Sequence, residues 1–351
     1  MTNTRYSATG HRPIRAASRA SWLGASVALL LGCNNSHTGT SETTEPAAGP
    51  FRSLSVAANA PSSFTQPRAG VPLADGSVAF IATLEGLSET ENSESGERIG
   101  VLLQPKDGSV VKVLYSGDQL VNPFDIDVSL DEKTLYIADP AAGADGEGAL
   151  VTLPITGGEP TLALTGQRPR SVTVGPDGAV YFSGISAETA EPGVFLLSGE
   201  SASALLVGAP LVDPSGIAVK ANGDVFVADT RLFDAESDGT TAPLNSEAGV
   251  VLIHEGAASI FATGFATGYP AGIALTQDEK SLIVSGEGPD RSDTVYILDT
   301  SNPKAPATVV TDSFSAFQDS SAGLKRSHQG NTFIWASLAA NGGTIYRIEG
   351  R

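Results

Sequence analysis

The sequence predicts an all-β fold, a six-bladed β-propeller built from four-stranded antiparallel blades. Three observations predict it: a hairpin pattern recurs along the chain, its copies have the spacing of propeller blades, and each copy leaves room for further strands. The clearest copy is Asp213–Asp229, DPSGIAVKANGDVFVAD, in which apolar residues alternate on both sides of Asn222-Gly223. Period-two alternation around an Asn-Gly pair is a strong hairpin signal.

Five further copies of this hairpin can be aligned on the turn. They are Pro67–Ala82, Pro123–Asp139, Pro169–Gly184, Pro270–Gly286 and Ser321–Ser337. Counted from the opening residues 67, 123, 169, 214, 270 and 321, the spacings are 56, 46, 45, 56 and 51 residues. Propeller blades repeat roughly every 40–50 residues, so six copies predict six blades around one axis.

Each of the first five hairpins is followed by sequence for a third and a fourth strand. In the fourth unit these are Gly249–Gly256 and Ala258–Phe265, whereas the sixth unit ends after its third strand, Gly343–Gly350. We predict that the N-terminal segment Phe51–Ala57 supplies the missing outer strand. That strand would join the last blade to the start of the chain and close the ring.

The first 32 residues have the composition of a secretory signal. Residues 1–21 contain four arginines and no acid, the apolar run Trp22–Leu31 follows, and the segment ends in Leu30-Leu31-Gly32-Cys33. Such an apolar core is too short to span a bilayer. The ending resembles the bacterial lipoprotein signal, which implies lipidation of Cys33; an ordinary signal with an incidental cysteine is the alternative.

Residues 33–50 are polar and rich in Ser, Thr and Pro, and they predict a flexible tether ahead of a propeller over residues 51–351. We therefore expect an exported monomer that a lipid alone attaches to the membrane. Asn34 stands where some bacteria place an aspartate for inner-membrane retention, which favours the outer membrane. Cys33 is the single cysteine, so no intramolecular disulfide stabilises the fold.

The chain is acidic, with a net charge of −18 that becomes −22 when residues 1–32 and their four arginines are removed. Phosphates repel such a chain, so nucleic acid is excluded as a partner. An acidic balance is also common in exported proteins and does not by itself indicate recruitment of cations.

One loop resembles the start of a calcium site. Asp234, Glu236 and Asp238 precede Gly239 with the spacing of a calcium-binding loop, but Asn245 replaces the acidic residue expected at position twelve. A solvated acidic loop is the alternative interpretation.

Comparison of the repeats at one register identifies charged residues on inner strands. Asp125 and Asp127 in the second unit and Lys325 in the sixth replace small residues of the other copies, and Arg68 and Arg170 follow opening prolines. Inner strands lie near the axis, so we expect these five side chains to line the channel. There they could orient a small anionic or polyhydroxylated ligand, or form structural pairs.

Histidine offers one candidate for acid–base chemistry. His328 lies at the last hairpin turn and could pair with Asp125 or Asp127, which makes these three the catalytic candidates, while His254 lies in a third strand. The sequence contains no CxxC, HExxH, Walker loop or dinucleotide fingerprint.

The repeat of Pro214–Asp229 resembles the NHL repeat, and Asn122–Asp139 resembles the regucalcin/gluconolactonase (SMP-30) family; both belong to the TolB-like six-bladed propellers. The lactonase resemblance implies a divalent metal at the axial mouth, held by a Glu of the first blade, where this sequence has Gln66 and Arg68, and by Asn and Asp beside the glycines of the later repeats. In this sequence those positions are Phe124, Arg170, Ser215, Ala271 and Ala322. Asn122 and Asp213 lie nearby, just before the opening prolines.

Three hypotheses follow for function. The leading one is a binding module at the cell envelope, whose partner is a protein, a peptide, a glycan or a small polar ligand. The alternative is a lactonase or related hydrolase with calcium or another divalent metal at a shifted axial site of Asn122, Asp125, Asp127 and Asp213. A third is a quinone-dependent sugar dehydrogenase, for which Arg68, Arg170, Lys325 and His328 would form a basic mouth.

Overall fold

The computed structural model describes residues 51–59, 64–84, 98–232, 248–265, 267, 271–287, 293–303, 307–309, 321–337 and 342–350. These residues form six four-stranded antiparallel sheets, so the predicted six-bladed propeller is confirmed. A short 3₁₀ turn, Ala144–Gly146, follows one strand. Within the described ranges, no helix has the length and hydropathy needed to cross a bilayer.

The first three blades follow one another in the chain. Their strands are β2 (Phe64–Pro72), β3 (Val78–Leu84), β4 (Arg98–Gln104) and β5 (Lys112–Tyr115) in blade 1; β6 (Asp125–Val128), β7 (Thr134–Asp139), β8 (Ala149–Pro154) and β9 (Thr161–Thr165) in blade 2; and β10 (Ser171–Val174), β11 (Val180–Ile185), β12 (Pro192–Ser198) and β13 (Ser201–Val207) in blade 3.

The last three blades include the strand that comes first in the chain. Their strands are β14 (Pro214–Val219), β15 (Val225–Asp229), β16 (Ala248–His254) and β17 (Ala257–Phe265) in blade 4; β18 (Ile273–Leu275), β19 (Ser281–Glu287), β20 (Asp293–Asp299) and β21 (Thr308–Val309) in blade 5; and β22 (Ser321–Arg326), β23 (Thr332–Ser337), β24 (Thr344–Gly350) and β1 (Phe51–Asn59) in blade 6.

The repeat hairpin forms as its sequence predicts. In blade 4, Val219 pairs with Val225, and Gly223 adopts a φ of 92° between them. This conformation costs glycine nothing and would strain a residue with a side chain. The Asn-Gly turn therefore fixes the register of the two innermost strands.

Alternation along each strand gives every blade two apolar faces. In blade 4, Ile217 and Val227 pack with Tyr181 of blade 3, whereas Ala218 and Phe226 pack with Ile273 of blade 5. The other four interfaces bury equivalent clusters of described residues. Each blade is thus stabilised by both neighbours, as a propeller requires.

The repeat glycines allow inner strands to approach one another near the axis. A Cβ atom added at Gly216 would lie 2.4 Å from the Ala271 carbonyl oxygen, and one at Gly272 would lie 2.4 Å from the Leu324 nitrogen. Asp125 and Ser171 occupy this register in blades 2 and 3. Polar side chains of blades 2 and 3 therefore fill one side of the axis. On the other side, the inner strands of blades 4 to 6 lie close enough together that their backbones fill the space.

The N-terminal strand closes the ring. β1 pairs antiparallel with β24, from Phe51 opposite Gly350 to Asn59 opposite Thr344. The Phe51 ring contacts the Phe333 ring edge-on, with the centroids 5.8 Å apart. Blade 6 therefore contains strands from both ends of the ring's sequence.

Candidate functional site

The ring has two faces, one at which the inner strands begin and one at which they end. Inner strands begin at the entry face, which carries Arg68, Asn122, Arg170 and Asp213. They end at the hairpin-turn face, which carries the turns that lead into the second strands. The sequence-predicted residues divide between the entry face, the centre of the ring and the hairpin-turn face.

Asp125 lies at the centre of the ring and is 3% exposed. Its Oδ2 atom accepts hydrogen bonds from the Ser171 hydroxyl at 2.6 Å and the Val172 N–H at 3.0 Å. Its Oδ1 atom accepts the N–H of Ile126. The carboxylate thereby links the inner strand of blade 2 to that of blade 3.

Asp127 repeats this arrangement one layer closer to the hairpin-turn face. Its Oδ2 atom accepts the Thr173 hydroxyl at 3.1 Å and the Val174 N–H at 2.8 Å, and its Oδ1 atom accepts the Val128 N–H. Buried carboxylates are stable when such donors surround them. The two aspartates thus have a structural role as links between blades 2 and 3.

Lys325 extends from blade 6 across the axis to these links. Its Nζ atom lies 2.9 Å from Asp125 Oδ2 and donates to the Val172 carbonyl oxygen at 2.6 Å. Both charged side chains are almost completely buried, so the pair lies in a low-dielectric region. The structure brings together the predicted channel residues Asp125, Asp127 and Lys325.

His328 reaches the same centre from the last hairpin turn. Its Nε2 atom donates to the Val128 carbonyl oxygen at 2.8 Å and lies 3.7 Å from Asp127 Oδ1. Because a carbonyl oxygen can only accept, the ring proton resides on Nε2 and a neutral ring carries its lone pair on Nδ1. No residue in the described part of the chain hydrogen-bonds to Nδ1.

A cavity of about 180 Å³ opens beside His328 on the hairpin-turn face. One wall is polar and includes Asp127, Thr173, Lys325, Arg326 and His328. The opposite wall is apolar and is formed by Ile217, Ala218, Val219, Ile273, Ala274 and Leu275. A small ligand with an apolar side and a polar side would fit this division.

Arg326 adds a positive charge to the polar wall. Its Nη1 atom donates to the carbonyl oxygens of Ser327 and Gly330, both at 2.7 Å, which fixes the guanidinium in place. Burial lowers the pKa of Arg326, while Asp127 and Glu279 act in the opposite direction. Arginine remains protonated at neutral pH, so the cavity has a fixed cation next to the His328 imidazole.

The entry face holds a separate charged cluster. The Asp213 carboxylate forms ion pairs with Arg170 through Oδ1 and with Arg231 Nε through Oδ2, the latter at 3.1 Å. The Thr230 hydroxyl also donates to Oδ2, at 2.8 Å. Arg170, predicted to line the channel, therefore pairs with Asp213 at the rim.

Arg68 also lies at the rim. Its Nη1 atom donates to Asn122 Oδ1 at 2.5 Å and to the Pro123 carbonyl oxygen at 3.1 Å, and its guanidinium lies 6.0 Å from the centre of the Phe124 ring. These contacts join the entry loops of blades 1 and 2.

The entry-face residues do not fit the divalent metal that a lactonase resemblance implies. Asn122 Oδ1 already accepts from Arg68, and both oxygens of Asp213 face arginine side chains. A metal ion would have to displace these cations. Among the described residues, no group of three or more His, Cys, Asp or Glu side chains is arranged to hold a metal.

Several sequence predictions fall on residues outside the described ranges. They are the signal over residues 1–32, the lipidated Cys33, the tether up to residue 50 and the calcium-type loop of Asp234, Glu236 and Asp238. These stay predictions.

The repeat aspartates that end the second strands have a role that the sequence analysis missed. Asp139 is fully buried and accepts the N–H groups of Val121, Asn122, Ala141 and Ala142. Burial raises the pKa of Asp139, and these donors oppose that effect. The sequence signal for this role was the recurrence of an aspartate at the end of a second strand, just before a loop.

His254 and Asp224 form a further pair that sequence reasoning left apart. The Nδ1 atom of His254 donates to Asp224 Oδ1 at 2.5 Å, on the hairpin-turn side of blade 4. The antiparallel pairing of Val225 with Ile253 places them side by side. Extending the predicted strands into a pairing register would have found this contact.

The chain matches no protein-family model, and no curated protein matches it. Solved structures do match in fold. A gluconolactonase from Xanthomonas campestris has a TM-score of 0.56 and 16% identity, covering 87% of this chain and 91% of its own. The chain has the fold of gluconolactonase-like six-bladed propellers.

Two further structures show the same fold. A proposed gluconolactonase has a TM-score of 0.55 and 15% identity over 85% of this chain and 92% of its own. A proposed oxidoreductase (glucose dehydrogenase) from Thermus thermophilus has a TM-score of 0.54 and 14% identity over 85% of this chain and 99% of its own. At this level of identity, the likeness concerns architecture.

Proposed function

We propose that this protein hydrolyses small lactones or esters at the axial cavity of the hairpin-turn face. The observation that carries the proposal is the position of His328. Its Nε2–H is fixed by the Val128 carbonyl next to Asp127, so the lone pair of Nδ1 remains for proton abstraction. A base with that orientation, in a cavity with a cation, suits acyl chemistry.

The reaction needs one water molecule and one lactone or ester. His328 Nδ1 takes a proton from water as the water oxygen bonds to the carbonyl carbon. The tetrahedral adduct then breaks its carbon–oxygen ring or ester bond, and the imidazolium returns the proton to the departing alkoxide. The products are a hydroxy acid from a lactone, or an acid and an alcohol from an ester.

Charges in the polar wall would support both steps. Asp127 Oδ1 lies 3.7 Å from His328 Nε2, where its negative charge favours the transient imidazolium. Arg326 lines the same cavity and would attract the oxyanion of the adduct. The apolar wall of Ile217 and Ile273 would hold the ring carbons of a lactone.

The fold comparisons support the reaction class and not the residues. Two of the structures similar to this chain are a gluconolactonase and a proposed gluconolactonase. The residues assigned here lie at the ends of the inner strands, on the face opposite Asn122 and Asp213. Because arginines engage those two side chains, the proposal assigns no step to a metal.

The test is hydrolysis of γ-butyrolactone, δ-valerolactone, glucono-δ-lactone and p-nitrophenyl acetate by the full chain, followed as acid release. We expect His328→Gln to lower kcat/KM by about 10²–10⁴-fold, the usual contribution of a general base. His37→Gln, in the predicted tether, is the matched control and should keep full activity. Activity that is lost with EDTA but kept in His328→Gln would overturn the assignment.

A binding module at the cell envelope is the second candidate, in which the channel aspartates would have a structural role only. Asp125 and Asp127 accept donors on both of their oxygens, so they already have a structural role. We propose that a lipid-anchored protein would present this ring at the outer membrane, with the chain entering at Phe51 on the hairpin-turn face. If none of the four substrates is hydrolysed, the result would favour the binding module over the hydrolase.

A further inference from the structure

The axial cavity is bordered by the inner edges of two innermost strands. Residues of an antiparallel strand alternate between those that bond to the partner strand and those whose N–H and C=O groups point the other way. In blade 4, the N–H of Lys220 donates to the Asp224 carbonyl oxygen, and Ala218, two residues earlier, belongs to the same bonded set. The N–H of Val219, which lies between them, therefore points towards the axis.

Blade 5 has the same arrangement at the same level. The N–H of Thr276 donates to the Ser281 carbonyl oxygen, so the N–H of Leu275 also points towards the axis. Val219 is half-buried, Leu275 is 5% exposed, and both line the cavity. No side chain in the described part of the chain accepts a hydrogen bond from either N–H group. Buried N–H groups normally have an acceptor.

Blades 2 and 3 show what such a pair of N–H groups binds. At the corresponding register, the N–H groups of Val128 and Val174 donate to the Asp127 carboxylate, both at 2.8 Å. Val128 bonds to Oδ1 and Val174 to Oδ2, so one carboxylate bridges two neighbouring inner strands with one oxygen for each N–H.

Blade 4 has no side chain that can form this bridge to blade 5. Ala218 occupies the register of Asp127 in the repeat, and it packs on the side of blade 5 with Ile273. An aspartate at this position would have the N–H groups of Val219 and Leu275 as its donors. Ala218 lines the cavity, so the cavity occupies the volume that the carboxylate would fill.

We infer that the axial cavity binds a small aliphatic carboxylate in the position that the repeat leaves without a side chain. One carboxylate oxygen would accept the N–H of Val219, and the other would accept the N–H of Leu275. Arg326 lines the same cavity and adds a positive charge, which strengthens hydrogen bonds to an anion. The volume of about 180 Å³ and the apolar wall suit a short hydrocarbon body.

This binding goes beyond the proposed hydrolysis, because it requires no reaction. An acid released by the hydrolysis would carry the same carboxylate, so a product bound there would inhibit the enzyme. The chain has a net charge of −18, and its overall field repels anions. Binding of an anion would therefore indicate a local site and not general attraction.

The test compares butyrate, butyramide and 1-butanol, which share a hydrocarbon body and differ in the polar group. Each is titrated at neutral pH into the full chain with ¹⁵N-labelled backbone amides. Butyrate should bind at least tenfold more tightly than butyramide and shift the amide signals of Val219 and Leu275. The signals of Val128 and Val174, which already donate to Asp127, should move less. Equal binding of butyrate and butyramide, or unmoved Val219 and Leu275 signals, would overturn the inference.

Ala218→Asp supplies the missing carboxylate from the chain itself. It should weaken butyrate binding at least tenfold, and without ligand its Val219 and Leu275 signals should be shifted in the direction that butyrate shifts them in the parent protein. Ala204→Asp is the matched control, because it adds the same charge to the outer strand β13, outside the cavity, and should keep the parent affinity. Equal losses in the two variants would show an effect of net charge and sink the site. If Ala218→Asp does not fold, the comparison of the three ligands on the parent protein decides.

The outcomes also separate this inference from the proposed function. Butyrate that binds at Val219 and Leu275 of a protein without hydrolytic activity would refute the hydrolase alone. Hydrolysis that depends on His328, in a protein that does not bind butyrate, would refute the carboxylate site alone.

Discussion

Lys325 crosses the axis of the ring to reach residues of blades 2 and 3, 200 and 153 positions earlier in the chain. Lys325 and Asp125 are 5% and 3% exposed. Transfer of both charges from water is costly, and their attraction offsets that cost only while both are present. We therefore expect the pair to favour one arrangement of the blades more than it adds stability.

Removal of one partner tests this point. We expect Lys325→Met to lower the free energy of unfolding by about 3–5 kcal/mol, because it leaves the Asp125 carboxylate buried without its cation. A urea titration would measure the change.

The matched comparison is the double variant Asp125→Ala/Lys325→Met. It should cost less than the sum of the two single substitutions, with a coupling energy of roughly 1–3 kcal/mol. Strict additivity would show that the two charges do not interact.

The pair His254–Asp224 predicts stability that varies with pH. Burial alone would raise the pKa of Asp224, but hydrogen bonds from His254 and Asn222 outweigh it and lower the pKa below 3.8. The pKa of His254 is raised above 6.5. The contribution of His254 to the free energy of unfolding is fully present below pH 6.5 and is lost as the pH rises through the folded-state pKa of His254. The contribution of Asp224 is fully present above pH 3.8 and is lost as the pH falls through the folded-state pKa of Asp224.

The two contributions therefore overlap between pH 3.8 and 6.5. Urea midpoints recorded from acid to alkaline pH should show that His254→Gln loses most against the parent protein inside this window. Parallel curves for the two proteins would contradict the ion pair.

At the scale of elements, the aspartates that end β7 and β15 fix the loops that enter the inner strands. Asp229 accepts the N–H groups of Val212, Asp213 and Arg231, just as Asp139 does for four N–H groups in blade 2. The loop carrying Asp213 is positioned by these bonds. The repeat aspartate thus orients the rim while it ends the strand.

We expect Asp139→Ala to lower the free energy of unfolding by about 2–4 kcal/mol, since it leaves buried N–H groups without an acceptor. Asp139→Asn keeps the shape and one acceptor oxygen, so its free energy of unfolding should lie between that of the parent protein and that of the alanine variant. Chemical denaturation measures both. An asparagine variant as stable as the parent protein, beside a destabilised alanine variant, would show that packing, rather than hydrogen bonding to the carboxylate, is the cause.

The strands could be predicted from the sequence because their signals are local. The hairpin of Asp213–Asp229 appears as β14 and β15, and the segment from Phe51 pairs with the last blade as expected. Alternation and turn residues determine these elements over a few positions. Strands can therefore be predicted from neighbouring residues alone, without knowing which distant residues they contact.

The site was only partly predictable, because its contacts join residues far apart in the chain. The register comparison identified Asp125, Asp127 and Lys325, which meet at the axis, but it also placed Arg68 and Arg170 there. Both arginines bind at the rim instead. Arg68 donates to Asn122 and Arg170 pairs with Asp213, so neither side chain lies at the axis. Arg326 carried no signal, since a charged residue at the end of a strand is usually solvated.

The whole ring depends on the strand that joins its two ends. Phe51 is 5% exposed and packs on Phe333, so Phe51→Ala should lower the free energy of unfolding by about 3–5 kcal/mol. Val56 lies on the same strand and is 51% exposed; Val56→Ala should change stability by less than about 0.5 kcal/mol. Equal effects in thermal unfolding would show that β1 does not close the ring.

We expect the axial cavity to take the ligand and His328 to face it with an unprotonated Nδ1. The decisive experiment is ¹⁵N NMR of the histidine rings in the full chain, with and without δ-valerolactam, a slowly reacting analogue of a six-membered lactone. The His328 ring should carry its proton on Nε2, and its signals should shift on addition of the lactam while those of His254 stay in place. A proton on Nδ1, or His328 signals unmoved at saturating lactam, would contradict it.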